Sequence, residues 1–227
     1  MLRPARLLAL LAAGLLGISA CGGSDGKQKA TATPVSSGST TASGCQEVAK
    51  PAPKAVKLPK PASELDAAKT YVATVSTSCG DFELTLDAKR APKTGGSFAY
   101  LAKKGVFDGT TFHRIVPGFV IQGGDPKGDG TGGPGYSMVE APPKSVRYTK
   151  GVVAMAKRQL EPAGASGSQF FVVTGEDAQL PPEYALLGKV TGGQETVDRI
   201  EAADTDKSTQ APLQPIVIRS VTVATSG

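Results

Sequence analysis

The chain is poor in the residues on which many enzymes and metal proteins depend: it has no tryptophan, one histidine and three cysteines. A structural zinc site takes four cysteine or histidine ligands at short, regular spacings. Cysteines at positions 21, 45 and 79 do not have such spacings, so we expect neither a metal nor a cofactor. His113 is the one histidine that could act as a general base, and we interpret it as structural. No basic stripe interleaved with aromatic residues is present, so we expect no nucleic-acid binding.

The first twenty residues have the pattern of an export signal. Arg3 and Arg6 form a basic segment, and residues 7–18 are apolar but too few to span a bilayer, which takes roughly 20 apolar residues. The sequence Ile-Ser-Ala before Cys21, with two glycines after it, resembles the lipobox of bacterial lipoproteins. That resemblance implies cleavage before Cys21 and attachment of lipid to its sulfur. The alternative is an ordinary signal peptide cut at the same place, which would leave a free thiol.

Residues 21–69 are predicted to be a tether. From 22 to 44 the chain is almost entirely Gly, Ser, Thr and Ala, and such a composition cannot bury enough apolar surface to fold. From 46 to 62 it is rich in Pro, Lys and Ala, which favours extended polyproline II conformation. We therefore expect a flexible segment followed by a stiffer, mildly basic stalk.

Two cysteines remain if Cys21 carries lipid. Outside the cytoplasm the compartment is oxidising, so Cys45 and Cys79 are a candidate disulfide. The alternative is two unpaired thiols, because the required geometry cannot be read from sequence.

A single folded domain is predicted from residue 70 to residue 227. Alternating apolar and polar residues on both sides of Cys79-Gly80 predict a β-hairpin, and helical spacing of apolar residues predicts two helices, at 92–104 and 194–203. Further strands are predicted at 111–116, 119–122, 151–156, 169–174, 186–190 and 215–224. Many short strands with Gly- and Pro-rich turns and two helices favour an antiparallel barrel or sandwich with helical caps.

Five motifs follow one another in this domain. They are Phe112-His-Arg-Ile-Val-Pro-Gly-Phe-Val-Ile-Gln-Gly-Gly-Asp125, Gly130-Thr-Gly-Gly133, Ala154-Met-Ala156, Gly167-Ser-Gln-Phe-Phe171 and Leu187-Gly-Lys-Val190. In this order and spacing they resemble the signature of the cyclophilins, a family of peptidyl-prolyl cis-trans isomerases. The resemblance covers about residues 71–223. It implies an all-β fold, a closed eight-stranded antiparallel β-barrel capped by two α-helices, with the active groove on the outside of the barrel.

The resemblance also assigns the functional residues. It makes Arg114 the catalytic cation, and Gln122 either positions it or bonds the substrate backbone. It places a proline pocket and the adjoining peptide groove at Phe119, Val120, Ala156, Gln169, Phe171, Leu180 and Tyr184. The neighbouring aromatic residues Phe112 and Phe170 are expected to lie in the core.

The chemistry of prolyl isomerisation suits this set of residues. A peptide bond resists rotation by ~18–20 kcal/mol because the nitrogen shares its lone pair with the carbonyl. In the twisted state that lone pair is localised on the proline nitrogen, and a donor placed there stabilises the transition state more than the planar ground state. Arginine remains charged in an apolar groove and offers several fixed donors. No acid, base, nucleophile or metal is needed.

The chain departs from the family at three positions. Gln179 stands where well-studied eukaryotic cyclophilins have a tryptophan, Tyr184 where they have a histidine, and Lys157 where an asparagine usually follows Met-Ala. Because that tryptophan contacts cyclosporin in the family, we expect low sensitivity to the drug.

The sequence therefore predicts a monomeric isomerase on the outer face of the cell membrane, anchored by lipid. Its expected partners are proline-containing peptides and unfolded exported proteins. One alternative is a non-catalytic module that binds proline-containing peptides on the cell surface. Another, a solute-binding lipoprotein, lacks a two-lobed α/β pattern.

Overall fold

The computed structural model describes residues 40, 41 and 43–227. The export signal, Cys21 and the first part of the predicted tether lie outside these residues. Within the described part of the chain there are ten strands and two helices: β1 Thr70–Thr77, β2 Gly80–Leu86, α1 Pro92–Lys103, β3 Thr110–Val116, β4 Val120–Asp125, β5 Met138–Val139, β6 Val152–Met155, β7 Ala165–Ser166, β8 Phe170–Val173, β9 Leu186–Gly192, α2 Gln194–Glu201 and β10 Val217–Ser226.

Eight of the strands close into a barrel in the order β1-β10-β3-β4-β8-β6-β9-β2, and every neighbouring pair is antiparallel. The predicted fold class is thereby confirmed. Strands β5 and β7 form a separate two-stranded sheet. The sequence analysis did not predict this small sheet, because two residues are too few to show a period of two.

The barrel interior is filled by alternate residues of its strands, since successive side chains of a strand point to opposite faces. On β8, Phe170 packs in the interior cluster, whereas Phe171 belongs to a second cluster on the outside. The Phe170 ring meets Phe98, Phe107 and Phe112 edge-to-face, with ring centroids 5.8–6.0 Å apart. Phe112 and Phe170 are both fully buried, as expected of core residues.

Helix α1 begins at Pro92, a position where proline's missing N–H costs nothing. Two amides of its first turn are bonded by a side chain from another segment: the Glu140 carboxylate accepts from the Lys93 amide at 3.1 Å and from the Thr94 amide at 2.7 Å. A carboxylate here also complements the positive end of the helix dipole.

Residues 45–69 form a strap that runs along the outside of the barrel. Cys45 is joined to Cys79 by a disulfide. Strap amides donate to backbone carbonyls of the domain. Three of these carbonyls lie in loops, with Gln46 bonded to Ser78, Lys54 to Pro126 and Leu58 to Pro134 at 2.8 Å, and the fourth is that of Pro92 in α1, which accepts from Leu65 at 3.0 Å.

The Leu65 side chain is buried against α1, and the glycine at position 96 lets the backbone of Ser63 approach that helix closely. The sequence analysis placed this segment in a tether; its C-terminal part instead packs on the barrel. The physical reason is that extended, proline-rich backbone makes no internal hydrogen bonds, so its amides are available to neighbouring loops. No helix among the described residues has the length and apolarity needed to cross a membrane.

Candidate functional site

Arg114 reaches the outside of the barrel through an irregularity in β3. Strict alternation would place Arg114 on the same face as Phe112, in the interior. The pairing of β3 with β4 shifts between Phe112 and Arg114, so that His113 is an extra residue. Phe112 and Ile115 therefore both pack in the interior, although they are three residues apart, and Arg114 lies directly opposite Gln122 of β4. Such bulges re-aim side chains at functional sites.

A row of amide side chains extends from Arg114 along the outer surface. Arg114 Nη1 lies 3.5 Å from Gln122 Oε1, and Gln122 Nε2 donates to Gln169 Oε1 at 3.1 Å. Gln169 Nε2 in turn donates to the carbonyls of Gly130 and Gly132, at 2.9 and 3.0 Å. Because each amide both donates and accepts, the glycine carbonyls fix the orientation of Gln169 and then of Gln122.

The shortest hydrogen bond of Arg114 involves a residue that the sequence analysis missed. Arg114 Nε donates to Gln210 Oε1 at 2.7 Å. Gln210 lies in the connection between α2 and β10, 96 residues from Arg114, where no periodic pattern marks it. Of the five N–H groups of the guanidinium, two have partners among the described residues. Three are left to face a ligand.

An apolar pocket adjoins this cation. Val120 and Phe171 are buried in a cluster outside the barrel interior, and partly buried side chains of the same cluster border them: Phe119, Ala156, Leu180 and Tyr184. The structure thus brings together the predicted apolar groove residues. Arg114 Cζ lies 6.0 Å from the centroid of the Phe119 ring, so the charge stands at the rim of the pocket.

Phe119 is held at the rim by backbone contacts on both sides. The amide of Gly118 donates to the Glu201 carboxylate of α2 at 2.7 Å. The carbonyl of Phe119 accepts from the amide of Thr174 at 3.0 Å. The turn before β4 is therefore fastened to α2 and to the end of β8, and the backbone that carries the partly buried Phe119 ring is fixed.

The pocket floor is aromatic. The rings of Phe171 and Tyr184 meet at 86° with centroids 5.5 Å apart, and Tyr148 lies 6.3 Å from Phe171. Edge-to-face aromatic pairs of this kind add stability beyond the area that they bury. Tyr148 was not predicted from sequence, because it lies in the long connection between β5 and β6. Burial raises the pKa of Tyr148 to about 12, so its hydroxyl is a neutral donor at physiological pH.

Of the three residues that depart from the family, Tyr184 lies in the pocket floor, and the other two lie elsewhere. Gln179 is exposed, and its backbone has a φ of 53°, in the left-handed region. Lys157 is largely buried: its Nζ donates to the Glu161 carbonyl at 3.2 Å and lies 3.4 Å from the Glu183 carboxylate. A depression of about 480 Å³ continues from Gln122 and Gln169 toward Lys157 and the strap residue Val56. A peptide longer than a dipeptide has room to extend there.

His113 is not among the residues that line the depression beside Gln122 and Gln169. Burial lowers the pKa of His113, and its Nδ1 has no hydrogen-bond partner among the described residues. Within the same residues no group of three or more His, Cys, Asp or Glu side chains is placed to hold a metal ion. What the groove offers chemically is a fixed cation, two amide side chains and an apolar pocket.

Known proteins share this arrangement of sequence and fold. The model of the family described as cyclophilin type peptidyl-prolyl cis-trans isomerase matches residues 72–223. Peptidyl-prolyl cis-trans isomerase B of Streptomyces anulatus is 38% identical over 176 residues, which cover 70% of this chain and 99% of that protein. The probable peptidyl-prolyl cis-trans isomerase A of Mycobacterium leprae is 36% identical, with 67% of this chain and 91% of that protein covered.

Solved structures of the same family have a similar fold. A cyclophilin type peptidyl-prolyl cis-trans isomerase of Cryptosporidium parvum is similar with a TM-score of 0.64 and 31% identity, over 70% of this chain and 99% of that one. A second crystal structure of that protein, in the presence of the dipeptide Ala-Pro, is similar with a TM-score of 0.63 and 33% identity, over 69% of this chain and 99% of that one.

Proposed function

The chain belongs to the cyclophilin type peptidyl-prolyl cis-trans isomerase family and catalyses rotation about X-Pro peptide bonds, and on that premise we propose that Arg114 is its catalytic cation and that its clients are exported proteins met at the cell membrane. The non-catalytic alternative is not favoured, because relatives that match over nearly their whole length are named isomerases.

One observation carries the assignment of Arg114: a guanidinium stands at the rim of an apolar pocket, 6.0 Å from the Phe119 ring, and three of its N–H groups have no partner in the described part of the chain. The pocket binds the proline ring by apolar contact, with Val120 and Phe171 beneath it. Rotation localises the lone pair on the proline nitrogen, and the nearest free N–H of Arg114 donates to it. Because the planar amide has no such lone pair to offer, the interaction is made in the transition state and lowers the barrier.

Gln122 and Gln169 supply the second part of the groove. Their hydrogen-bonded row leads away from Arg114 toward the carbonyls of Gly130 and Gly132. A peptide backbone that lies along this row keeps the residue before proline in place while the bond turns. Fixing one side of the rotating bond matters, because otherwise the whole peptide would turn in the pocket.

The test of Arg114 is the cis-to-trans rate of an Ala-Pro peptide with the purified protein and its Arg114→Ala variant. Loss of a preorganised donor to a transition state typically costs about 10²–10³-fold in rate, and we expect a loss of that order. The matched control is Arg90→Ala, an exposed arginine paired with Asp87, which should keep the wild-type rate. A variant Arg114→Ala with wild-type rate would keep the enzyme and reject this mechanism.

The proposed location depends on Cys21, where the lipobox-like sequence would direct lipid attachment. Two or three acyl chains give stable anchoring where one does not. Uncatalysed prolyl isomerisation takes ~10–100 s, slow enough to limit folding of a newly exported chain. An isomerase held near the site of export would accelerate that step.

Cell fractionation tests this part. Cys21→Ala should move the protein from the membrane to the soluble fraction, whereas Ser24→Ala, three residues away, should leave it in the membrane. Equal membrane association of both variants would reject the anchor. Pulse-labelled secretion of proline-rich exported proteins, with and without the isomerase, would then identify its clients by slower acquisition of protease resistance.

A further inference from the structure

We propose that Gln210 is a positioning residue of the isomerase, which holds the Arg114 guanidinium in the orientation that catalysis needs. The inference rests on the proposed catalytic role of Arg114. Gln210 lies within the span of the family match but outside the five motifs that carry the resemblance, and it is not among the groove residues which that resemblance assigns.

The contacts of Arg114 single out Gln210. A guanidinium at the end of a long side chain has many rotamers, and its plane is set by the acceptors that it meets. Gln122 is 3.5 Å from Nη1, at the outer limit of a hydrogen bond, and its own orientation is governed by Gln169. The 2.7 Å bond from Nε to Gln210 is the stronger restraint. It leaves the terminal N–H groups directed away from Gln210, toward the side where Phe119 lies.

The backbone of Gln210 is itself held against the strand that carries Arg114. Its carbonyl accepts from the Ile115 amide at 2.8 Å, and its amide donates to the Asp206 carbonyl at 2.7 Å. Its φ of 61° lies in the left-handed region, which side chains other than glycine rarely adopt. Such a conformation persists where the surroundings determine it, and it is often associated with function.

A compact turn keeps this loop in shape. One carboxylate oxygen of Asp206 accepts from both the amide and the hydroxyl of Ser208 and of Thr209, at 2.6–2.9 Å. These bonds lower the pKa of Asp206 to about 2. The carboxylate therefore stays ionised well below the usual range for aspartate, and the turn keeps a charged hydrogen-bond acceptor.

The experiment measures kcat and KM for an Ala-Pro peptide with the purified protein and five variants, one of which is Arg114→Ala. Gln210→Gly removes the acceptor without backbone strain, because glycine accepts a positive φ. Gln210→Glu keeps an acceptor oxygen at the same reach. Gln214→Gly makes the same change four residues on, at an exposed side chain with no hydrogen bond among the described residues. Gln210→Gly combined with Arg114→Ala completes a double-mutant cycle with the Arg114→Ala single variant.

We expect Gln210→Gly to lower kcat by about 10- to 100-fold, since a 1 Å misplacement can cost on the order of 10²-fold. KM should stay within about twofold, because the variant leaves the pocket unchanged. Gln210→Glu should recover most of the rate, and Gln214→Gly should match the wild type. In the Arg114→Ala background, Gln210→Gly should cause no further loss.

Three results would overturn the inference: an unchanged kcat for Gln210→Gly, a loss of the same size in both backgrounds, or an equal loss for Gln214→Gly. The last two would mean that the loop is only structural. Failure of the underlying proposal looks different, because Arg114→Ala would then retain the wild-type rate, and the role of Gln210 would fall with it.

Discussion

Tyr148 and Tyr184 are linked through both backbone groups of the second residue: the Tyr148 hydroxyl donates to the Tyr184 carbonyl at 2.5 Å and accepts from the Tyr184 amide at 3.1 Å. One buried hydroxyl thus fixes the segment that places the Tyr184 ring against Phe171. The pocket floor depends on a polar contact between residues 36 positions apart.

Tyr148→Phe should therefore weaken the pocket as well as the fold. The variant leaves the carbonyl and amide of Tyr184 without their partner, and an unsatisfied buried group costs about 1–3 kcal/mol. We expect the free energy of unfolding to fall by that amount and KM to rise several-fold with a smaller change in kcat. Tyr100→Phe, which removes a hydroxyl with no hydrogen bond among the described residues, serves as the control. Equal stability of the two variants would contradict the prediction.

His113 should make stability depend on pH. Burial lowers its pKa in the folded state below the usual 6.5, so in the window between the two values the unfolded chain binds a proton that the folded chain does not. The free energy of unfolding should thus be highest above pH 6.5 and decrease as the pH falls through the folded-state pKa. His113→Gln should flatten this slope.

The measurement is direct, because the chain has one histidine and hence one pair of imidazole resonances to titrate by NMR. A folded-state pKa at or above 6.5 would contradict the prediction. Chemical denaturation at several pH values between 5 and 8 supplies the stability slope for both proteins.

Removal of the Cys45–Cys79 disulfide should destabilise the protein substantially. The two residues are 34 positions apart, and closing a loop of that size in the unfolded chain corresponds to about 3–4 kcal/mol by loop entropy. Chemical denaturation of a Cys45→Ala/Cys79→Ala double variant should show a loss of this order. Reductant should lower the stability of the wild type and leave that of the double variant unchanged; if reductant affects both equally, the bridge is not the cause.

Substitution of Leu65 tests whether the strap contributes to the stability of the folded domain. Its side chain is 9% exposed in the core cluster, whereas that of Leu160 is 99% exposed. Leu65→Ala should cost about 2 kcal/mol or more, as buried leucines do, and Leu160→Ala should cost almost nothing. Thermal unfolding of the two variants provides the comparison. If both are neutral, the strap does not contribute to the stability of the barrel.

Local pattern was sufficient for the strands and helices of the barrel, because alternation and helical spacing are properties of neighbouring residues. It was not sufficient for Arg114. Counting by twos from Phe112 would have buried that side chain, and only the resemblance placed it outside, where the bulge at His113 in fact directs it.

Contacts between distant residues were beyond the reach of the sequence. Gln210 and Tyr148 are ordinary polar residues in loops, and their roles depend on partners 96 and 36 positions away. The strap was assigned to a tether from its composition, since proline-rich sequence gives no sign of the loops on which it packs. In each case a hydrogen bond of the folded state fixes the position of the residue or segment, and the local sequence gives no sign of that bond.

The disulfide also decides how tension would travel through the molecule. Any pull on the chain ahead of Cys45 passes across the sulfur bridge to Cys79, in the turn between β1 and β2, and bypasses residues 46–69. Those residues would carry no load, so Leu65 could remain seated on α1 while the chain before it is stretched. The force would enter instead at a hairpin whose two strands are each paired on both sides, β1 with β10 and β2 with β9. A pull on the N-terminal end of the domain would therefore leave residues 46–69 packed on the barrel.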